Sequence, residues 1–114
     1  ERPALSIIIP HLNGKHHLDD CLGSLRRQTF SDFEIILVDN GSTDGSQAYL
    51  RNHFPEVKLL ELNENRGFTG ACTAGYNFST GELIVLLNIR LIYIQHLISI
   101  VIPCFHSIKL VIVT

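Results

Sequence analysis

The sequence predicts an α/β fold in which helices cover both faces of a mostly parallel sheet, a three-layer αβα architecture. Four short runs rich in isoleucine, leucine and valine alternate with segments of helical periodicity, which is the pattern of βαβ units. The runs are apolar on both faces, as expected of strands buried between helices, and such units cross over with a right hand. At 114 residues the chain makes one domain at most.

The first predicted strand is followed by one amphipathic helix. The strand covers residues 5–10 and ends at Pro10, because proline lacks the N–H that a central strand donates. Residues 11–14 form a loop. The helix that follows extends to residue 28, and its apolar positions share one face: Leu18, Cys21, Leu22 and Leu25.

The second predicted strand, residues 33–38, stops abruptly in small polar residues and two carboxylates. Either Ser42 or Thr43 is expected to cap the next helix, with Asp44 in its first turn. That helix closes before Pro55, and its inward residues are Tyr49, Leu50 and Phe54.

The third and fourth predicted strands flank a helix of small residues. The third strand covers residues 57–62, and a loop at residues 63–67 leads to the helix at residues 70–77. Small side chains there allow the helix to approach the sheet closely. The fourth strand covers residues 83–88.

The composition changes at residue 89. All eight glycines and all eleven acidic residues lie in residues 1–88, whereas residues 89–114 contain neither, so we divide the chain there. Three interpretations of the second part stay open: a membrane-associated segment, a sheet-forming tail, or a continuation altered by a slip of reading frame. Residues 91–103 are apolar but shorter than the roughly 20 residues that cross a bilayer. The chain begins with Glu1 and ends in apolar residues, which favours a fragment.

Charge and motif content exclude several classes of function. A net charge of −2 and a pI near 6.3 provide no basic surface for nucleic acid. The three cysteines are far apart and odd in number, which indicates neither a disulfide framework nor a zinc site and suits a reducing cytoplasm. Within these residues there is no signal peptide, no dinucleotide-binding glycine fingerprint and no Gly-Lys-Ser/Thr phosphate loop.

The six histidines also lack the spacing of a zinc-protease site, and we interpret them as surface residues. His16 and His17 are expected to point in different directions, because adjacent positions on a helix do not share a face.

Polar residues that follow two of the strands are the candidates for a binding site. Asp39 has two interpretations: a carboxylate that caps its own turn, or one that accepts hydrogen bonds from the base or ribose of a nucleoside. Asp44 is interpreted first as an acid favoured by a helix dipole. Asn65, Arg66 and Gly67 precede a helix, where an arginine beside the amide groups can hold a phosphate; the alternative is a surface arginine beside a turn glycine.

Three motifs, taken together, resemble the family 2 glycosyltransferases. They are LSIIIPHLN at residues 5–13, EIILVDNGSTDGS at residues 34–46, and NRG at residues 65–67 before a helix rich in alanine and glycine. The match covers about residues 4–88. It is most similar to the bacterial rhamnosyltransferase-like members that act in the synthesis of cell-surface polysaccharides.

The resemblance implies a GT-A fold, of which this chain is the Rossmann-like, amino-terminal half that binds a UDP- or dTDP-linked sugar. In this assignment Asp39 contacts the base or ribose, and Arg66 closes the other side of the pocket. The acceptor is a glycan or is lipid-linked, which implies a cytoplasmic protein that can lie peripherally at the inner face of the membrane. Residues 1–88 then supply the nucleotide-sugar site: Pro10, Asn13, Asp39, Asp44, Asn65, Arg66 and Gly67.

The sequence departs from the family where a metal is expected. Members carry an Asp-x-Asp motif at the end of the fourth strand, whose acids hold Mg²⁺ or Mn²⁺ against the diphosphate. Here Asn88 is followed by Ile89 and Arg90, so Asn88 is only the vestige of a metal ligand. Leu12 also stands where many members have tyrosine. The acceptor half and its general base have no counterpart, so the chain alone is expected to bind donor weakly and to be inactive.

Two alternatives remain beside sugar transfer. One is a nucleotide-binding remnant without catalysis. The other is a flavodoxin-like or other doubly wound binding module, which predicts bound FMN. The first strand is not followed by a Ser/Thr/Gly loop that cradles phosphate, which argues against the flavodoxin-like alternative.

Overall fold

A computed structural model gives the fold of residues 2–90 and 110–113. A 3₁₀ turn, Lys15–His17, leads into the first helix. The α-helices are α1 (Leu18–Arg26), α2 (Ser46–His53) and α3 (Gly67–Phe78). The strands are β1 (Leu5–His11), β2 (Phe33–Asp39), β3 (Lys58–Glu61), β4 (Leu83–Leu87) and β5 (Leu110–Val113).

The five strands form one sheet in the order β3-β2-β1-β4-β5, and every neighbouring pair is parallel. The central strand is β1, in which Ile7 pairs with Ile35 of β2 on one side and with Val85 of β4 on the other. The order reverses between β1 and β4. In a doubly wound sheet, the crevice beyond the carboxyl ends at such a reversal is where ligands bind.

Helices cover both faces of the sheet, as predicted. On one face, α1 and α2 pack against odd-numbered residues of the central strands, and the core there includes Ile9, Leu22, Leu37 and Leu50. On the other face, α3 packs its Ala71 against a smaller cluster that comprises Ile8, Ile36, Val38 and Ile84. The predicted three-layer α/β architecture is confirmed.

The small residues of α3 bring this helix unusually close to the sheet, also as predicted. A Cβ atom at Gly75 would lie 2.5 Å from Cγ2 of Ile8 and 3.0 Å from Cγ2 of Val38. Glycine is therefore required at this position by the spacing between α3 and the two central strands, rather than by a special backbone conformation.

Several predicted boundaries are wrong by a few residues. Strand β1 continues through Pro10 to His11, because pairing with β4 stops at Ile8 and the missing N–H of Pro10 costs no ladder bond on that side. Strand β3 has four residues instead of six, and α1 ends at Arg26. Strand β4 ends at Leu87, one residue early.

The expected capping of α2 is also wrong. This helix begins at Ser46, after Gly45 in the left-handed region with a φ of 85°. Ser42 and Thr43 both lie before the N-cap Gly45, and the Ser42 hydroxyl oxygen accepts the Asn13 N–H at 2.9 Å instead of an N–H of the helix. Instead, Asp44 lies outside the helix and its Oδ1 accepts the Ser46 N–H at 3.1 Å.

Of the second part of the chain, the structure describes β5, which pairs with β4 so that Leu86 faces Ile112. The predicted apolar stretch at residues 91–103 lies outside the described residues. Among the helices that are described, none is long and apolar enough to cross a membrane.

A buried carboxylate links three elements at the amino-terminal edge of the sheet. Glu34 of β2 accepts hydrogen bonds from the Lys58 ammonium at 2.6 Å, from the Ser6 hydroxyl, and from the Thr80 N–H at 2.7 Å. Burial by itself raises the pKa of Glu34, but these donors outweigh it and lower the pKa to about 2. The ionised side chain therefore stabilises the junction of β1, β2 and β3 with the turn before β4.

Replacing Gly75 with alanine tests the close packing of α3. Gly75→Ala should lower the free energy of unfolding by about 1–3 kcal/mol, because the new methyl group overlaps Ile8 and Val38. Gly23→Ala on α1 is the matched control, since its Cβ meets only the end of the flexible Arg27 side chain at 3.3 Å. That variant should be neutral or more stable by about 0.5–1 kcal/mol. Urea unfolding measures both, and equal effects would contradict the packing argument.

The Glu34 network predicts a specific acid sensitivity. The pKa of this carboxyl is lower in the folded chain than its ordinary value of 4.5, so its stabilising contribution is complete above pH 4.5 and is lost as the pH falls toward 2. Glu34→Gln should therefore flatten the pH dependence of unfolding below pH 4.5 and cost about 1–3 kcal/mol at pH 7. Urea melts at several pH values measure this, with the exposed Glu82→Gln as control. Parallel pH profiles for wild type and Glu34→Gln would refute the assignment.

Candidate functional site

The residues that the sequence singled out lie at the carboxyl edge of the sheet, near the ends of β1 and β2, in the loops that follow the first four strands, and at the start of α3. Six of them form two groups. The first joins the β1–α1 and β2–α2 loops and contains Asn13, Asp39 and Asp44. The second joins the end of β2 to the start of α3 and contains Asn65, Arg66 and Gly67.

Asp39, the last residue of β2, is only 1% exposed, and its carboxylate is occupied by its own loop. The Ser42 N–H donates to Oδ2 at 3.0 Å and the Ser42 hydroxyl donates to Oδ1. The side-chain amide of Gln47 donates to Oδ2 at 2.7 Å. These contacts confirm the turn-capping interpretation of Asp39, while its contact with a nucleoside stays a prediction.

Asn13 fastens the β1–α1 loop to the β2–α2 loop. Its φ of 51° lies in the left-handed region, which asparagine tolerates better than most residues. Its N–H donates to the Ser42 hydroxyl at 2.9 Å, and its Oδ1 accepts the Thr43 N–H at 2.7 Å. Asn13 therefore holds two loops together, and its place in a nucleotide pocket stays a prediction.

Asp44 adds a second fastening between the same loops. Its Oδ2 accepts the Lys15 N–H at 3.0 Å, and its Oδ1 accepts both the N–H and the hydroxyl of Ser46. Burial raises the pKa of Asp44, but the hydrogen bonds from Ser46 and Lys15 outweigh it, so the pKa is lowered and the side chain is ionised at neutral pH.

Asn40 is the residue of the second group that sequence reasoning missed. It is 6% exposed, its Oδ1 accepts the Arg66 N–H at 2.9 Å, and its Nδ2 donates to the Gly67 carbonyl at 3.1 Å. Asn65 completes the turn by accepting the Gly67 N–H at 2.8 Å. The only signal in the sequence was its position directly after Asp39, since an amide that both donates and accepts can clamp a neighbouring loop.

Arg66 presents its guanidinium group at this edge. The residue is exposed, and no hydrogen bond joins its guanidinium to another of the residues that the structure describes. Directly after it, α3 begins with no acidic residue in its first turn. The Gly67 N–H is taken by Asn65, but the positive dipole end of α3 and the N–H groups that follow Gly67 lie beside an arginine, an arrangement that favours an anion.

A cavity of about 190 Å³ lies where the strand order reverses. Its walls include Pro10 from β1, Phe68 from α3, Asn88 after β4 and Ile112 from β5. Pro10 and Asn88, both predicted site residues, thus meet at one cavity with mostly apolar walls. A larger open cleft of about 720 Å³, lined by Arg2, Tyr76 and Thr80, lies at the opposite edge and holds none of the predicted residues.

The end of β4 does not fit a metal ion. The side-chain oxygen of Asn88 accepts the N–H of Arg90 at 2.9 Å, so it closes its own turn. Arg90 adds a positive charge where a cation would bind. Over residues 2–90 and 110–113, no three His, Cys, Asp or Glu side chains form a group that could hold a metal.

The interpretation of the histidines as surface residues is wrong for His11, which is 2% exposed at the end of β1. The expectation for His16 and His17 is wrong too. They lie in a 3₁₀ turn, and their ring centroids are 4.0 Å apart. The tighter turn brings adjacent side chains together in a way that an α-helix does not.

Comparison with known proteins supplies the family. The profile of Glycosyl transferase family 2 matches residues 6–89, which is more than half of the chain. The chain belongs to glycosyl transferase family 2. A PGL/p-HBAD biosynthesis glycosyltransferase of Mycobacterium bovis is 38% identical over 89 residues, which are 75% of this chain and 35% of that relative. The chain spans about a third of the length of the curated relatives it matches.

Solved structures agree with the predicted GT-A fold. A mannosyltransferase from Pyrobaculum calidifontis, in complex with GDP-Man and Mn²⁺, has a TM-score of 0.70 and 27% identity, over 79% of this chain and 28% of the other. S. aureus TarS in complex with UDP has a TM-score of 0.77 over 90% of this chain and 32% of the other. At 22% identity, the TarS likeness shows the fold alone.

The clamp made by Asn40 can be tested by changing one atom of its side chain. Asn40→Asp removes the N–H donor to the Gly67 carbonyl and places a carboxylate oxygen against the carbonyl oxygen of Gly67. Because both oxygens are acceptors, the free energy of unfolding should fall by about 1–2 kcal/mol. Urea unfolding measures this loss. Asn63→Asp, at an exposed position in the same β3–α3 loop, is the control and should change little. An unchanged stability for Asn40→Asp would contradict the clamp.

Proposed function

We propose that this chain is the donor-binding part of a glycosyltransferase that moves a sugar from a nucleoside diphosphate sugar to a glycan or lipid-linked acceptor. The sugar is a hexose or a deoxyhexose such as rhamnose, and the protein works in the cytoplasm or at the inner face of the membrane. One observation carries the proposal: residues from all three family motifs converge at the carboxyl edge, beside the reversal of strand order.

In this proposal Arg66 and the start of α3 receive the diphosphate. The guanidinium group has five donors in a planar fork that matches phosphate oxygens. The first N–H groups of α3 add further donors and a partial positive charge. Pro10 and Asn88 line the adjoining cavity, which suits the apolar face of a sugar or base better than a second anion.

The nucleoside end of the donor is assigned to Asn13, Asp39 and Asp44. Direct contact between Asp39 and a base or ribose requires Gln47 to turn aside, because the amide of Gln47 covers Oδ2. Gln47 is half-buried at the start of α2, and turning its amide aside breaks its hydrogen bonds to Asp39 and to the Ser42 carbonyl. We therefore assign donor binding to a state in which the ligand replaces the Gln47 amide at Asp39.

Transfer itself is assigned to the remainder of the protein. The Pyrobaculum mannosyltransferase was solved in complex with GDP-Man and Mn²⁺. A divalent cation of this kind can offset the negative charge of a diphosphate. Because the end of β4 in this chain does not fit a metal, Arg66 and α3 carry that task here. The acceptor hydroxyl attacks the anomeric carbon from the face opposite the diphosphate, the bond from that carbon to the diphosphate breaks, and the nucleoside diphosphate leaves, with inversion. The hydroxyl proton passes to a base that we place in the part of its relatives' length that this chain does not span.

Calorimetry with nucleotides tests the proposal on the full chain. UDP, dTDP and GDP, each with and without Mn²⁺, should include at least one that binds, and Arg66→Ala should weaken it by about tenfold or more because a charge-assisted contact is lost. Arg27→Ala is the control, since Arg27 follows α1 far from the site and its loss should leave the affinity unchanged.

Two results would count against the proposal. Absence of a heat signal with all three nucleotides would contradict the proposed donor site. Turnover of a nucleotide sugar by these 114 residues alone would show instead that the base lies within them.

A further inference from the structure

His11 is a buried, titratable side chain for which the donor site described above has no role. It ends β1, and its ring lies on the face of the sheet that α1 and α2 cover. Its Nε2 lies 2.9 Å from the hydroxyl oxygen of Ser46, which is fully buried at the start of α2. Its Nδ1 is buried without a hydrogen-bond partner among the described residues.

The neighbouring hydrogen bonds decide which ring nitrogen carries the proton. The Ser46 hydroxyl donates its one hydrogen to Oδ1 of the ionised Asp44, so its oxygen can only accept from His11. The proton therefore belongs on Nε2, which leaves Nδ1 as an unprotonated acceptor; this tautomer is assigned from the network. The Gly14 N–H lies farther from Nε2, at 3.4 Å, and the shorter contact determines the assignment.

The chain of contacts continues to the loop that carries Asn13. Asp44 accepts from Ser46 through Oδ1 and from the Lys15 N–H through Oδ2. The loop also lies directly against the ring, since a Cβ at Gly14 would be 3.1 Å from Cε1 of His11. One continuous series of hydrogen bonds thus runs from the end of β1 through α2 to the β1–α1 loop.

We propose that His11 is a positioning residue for the donor site, which holds the β1–α1 loop in place only as the neutral tautomer protonated at Nε2. Protonation of Nδ1 would create a buried N–H with no acceptor, at the point where the loop packs against the ring. The ring can escape this only by moving, and its movement breaks the contact with Ser46. The statement about donor binding rests on the proposed function, whereas the coupling between ring and loop does not.

The charges around His11 favour the neutral form in balance. Burial is the largest influence on the pKa of His11 and lowers it. The carboxylates of Asp39 on β2 and Asp44 before α2 raise the pKa, whereas His17 and His16 in the 3₁₀ turn lower it. The net effect is a pKa below 6.5. Because the folded chain binds this proton less readily than the unfolded chain, the contribution of His11 to stability is complete above pH 6.5 and is lost as the pH falls below it.

Nitrogen-15 NMR of the histidine rings and backbone amides, from pH 8 to pH 5, tests the coupling in the full chain. At pH 7.5 His11 should show a proton on Nε2 and none on Nδ1. On acidification the amide resonances of Lys15 and Ser46 should move with the same midpoint as the ring, below pH 6.5. In Ser46→Ala the ring should still titrate while the Lys15 amide no longer follows it.

His11→Gln is the conservative variant, because its amide can donate to Ser46 but does not titrate. The Lys15 resonance should lose its pH dependence in this variant and keep it in His53→Gln, a change at an exposed histidine at the end of α2. A proton on Nδ1 of His11 in the wild type at pH 7.5 would overturn the proposal. So would a Lys15 resonance that ignores the ring, and both observations are independent of whether His11→Gln folds.

Nucleotide affinity separates this inference from the proposed function. For whichever of UDP, dTDP and GDP binds, the quantity to compare is the ratio of the wild-type affinity to the affinity of His11→Gln. This ratio should fall about tenfold from pH 7.5 to pH 5.5. Protonation of the nucleotide affects both proteins equally and therefore cancels in the ratio. A constant ratio would overturn the role in donor binding. Absence of all nucleotide binding would refute the proposed function, while the NMR titration would still decide the coupling.

Discussion

The all-parallel pairing of β1 with both β2 and β4 is the constraint on which the rest of the structure depends. Parallel strands run in one direction, so each one delivers its carboxyl end to the same edge, and each connection must cross a face of the sheet. With β1 in the centre, α1 and α2 cover one face and α3 covers the other. The order reverses beside β1, between β1 and β4, and in a doubly wound sheet a ligand crevice lies beyond the carboxyl ends at such a reversal.

The loops at this edge are fastened to each other before any ligand arrives. Asn13 and Asp44 join the loops after β1 and β2, and Asn40 joins the end of β2 to the start of α3. Most polar groups there form hydrogen bonds with neighbouring loops, and these bonds restrict the motion of the backbone. The guanidinium of Arg66 and the start of α3 beyond the Gly67 amide are therefore held in a defined place. Preorganisation of this kind lowers the entropy lost on binding.

The electrostatics of the site differ from what a metal-dependent transferase needs. The oxygens of its two inner carboxylates, Asp39 and Asp44, accept hydrogen bonds from the loops. At the end of β4 the side chains are the amide of Asn88 and the guanidinium of Arg90. Positive charge at this edge comes from arginine and from a helix terminus, both of which attract anions without a metal ion. The family membership and this charge pattern together support the proposed donor-binding surface, whose catalytic partners we place in the remaining two thirds of its relatives' length.

The sequence by itself determined the α/β class, the close approach of α3, and the three motifs that identify the family, because hydrophobic periodicity, small residues and short motifs are local properties. It also named Asp39, Asn13 and Arg66 as candidate site residues, since strand ends can be recognised locally. Tertiary structure alone decided that Asn40 clamps the Arg66 loop, that His11 is buried against Ser46, and that Asp39 is covered by Gln47. Most of these contacts join residues about 26 to 35 positions apart, and such pairs meet only when neighbouring strands take their register. The cavity shared by Pro10 and Asn88 likewise exists because β1 and β4 are adjacent, which no local pattern encodes.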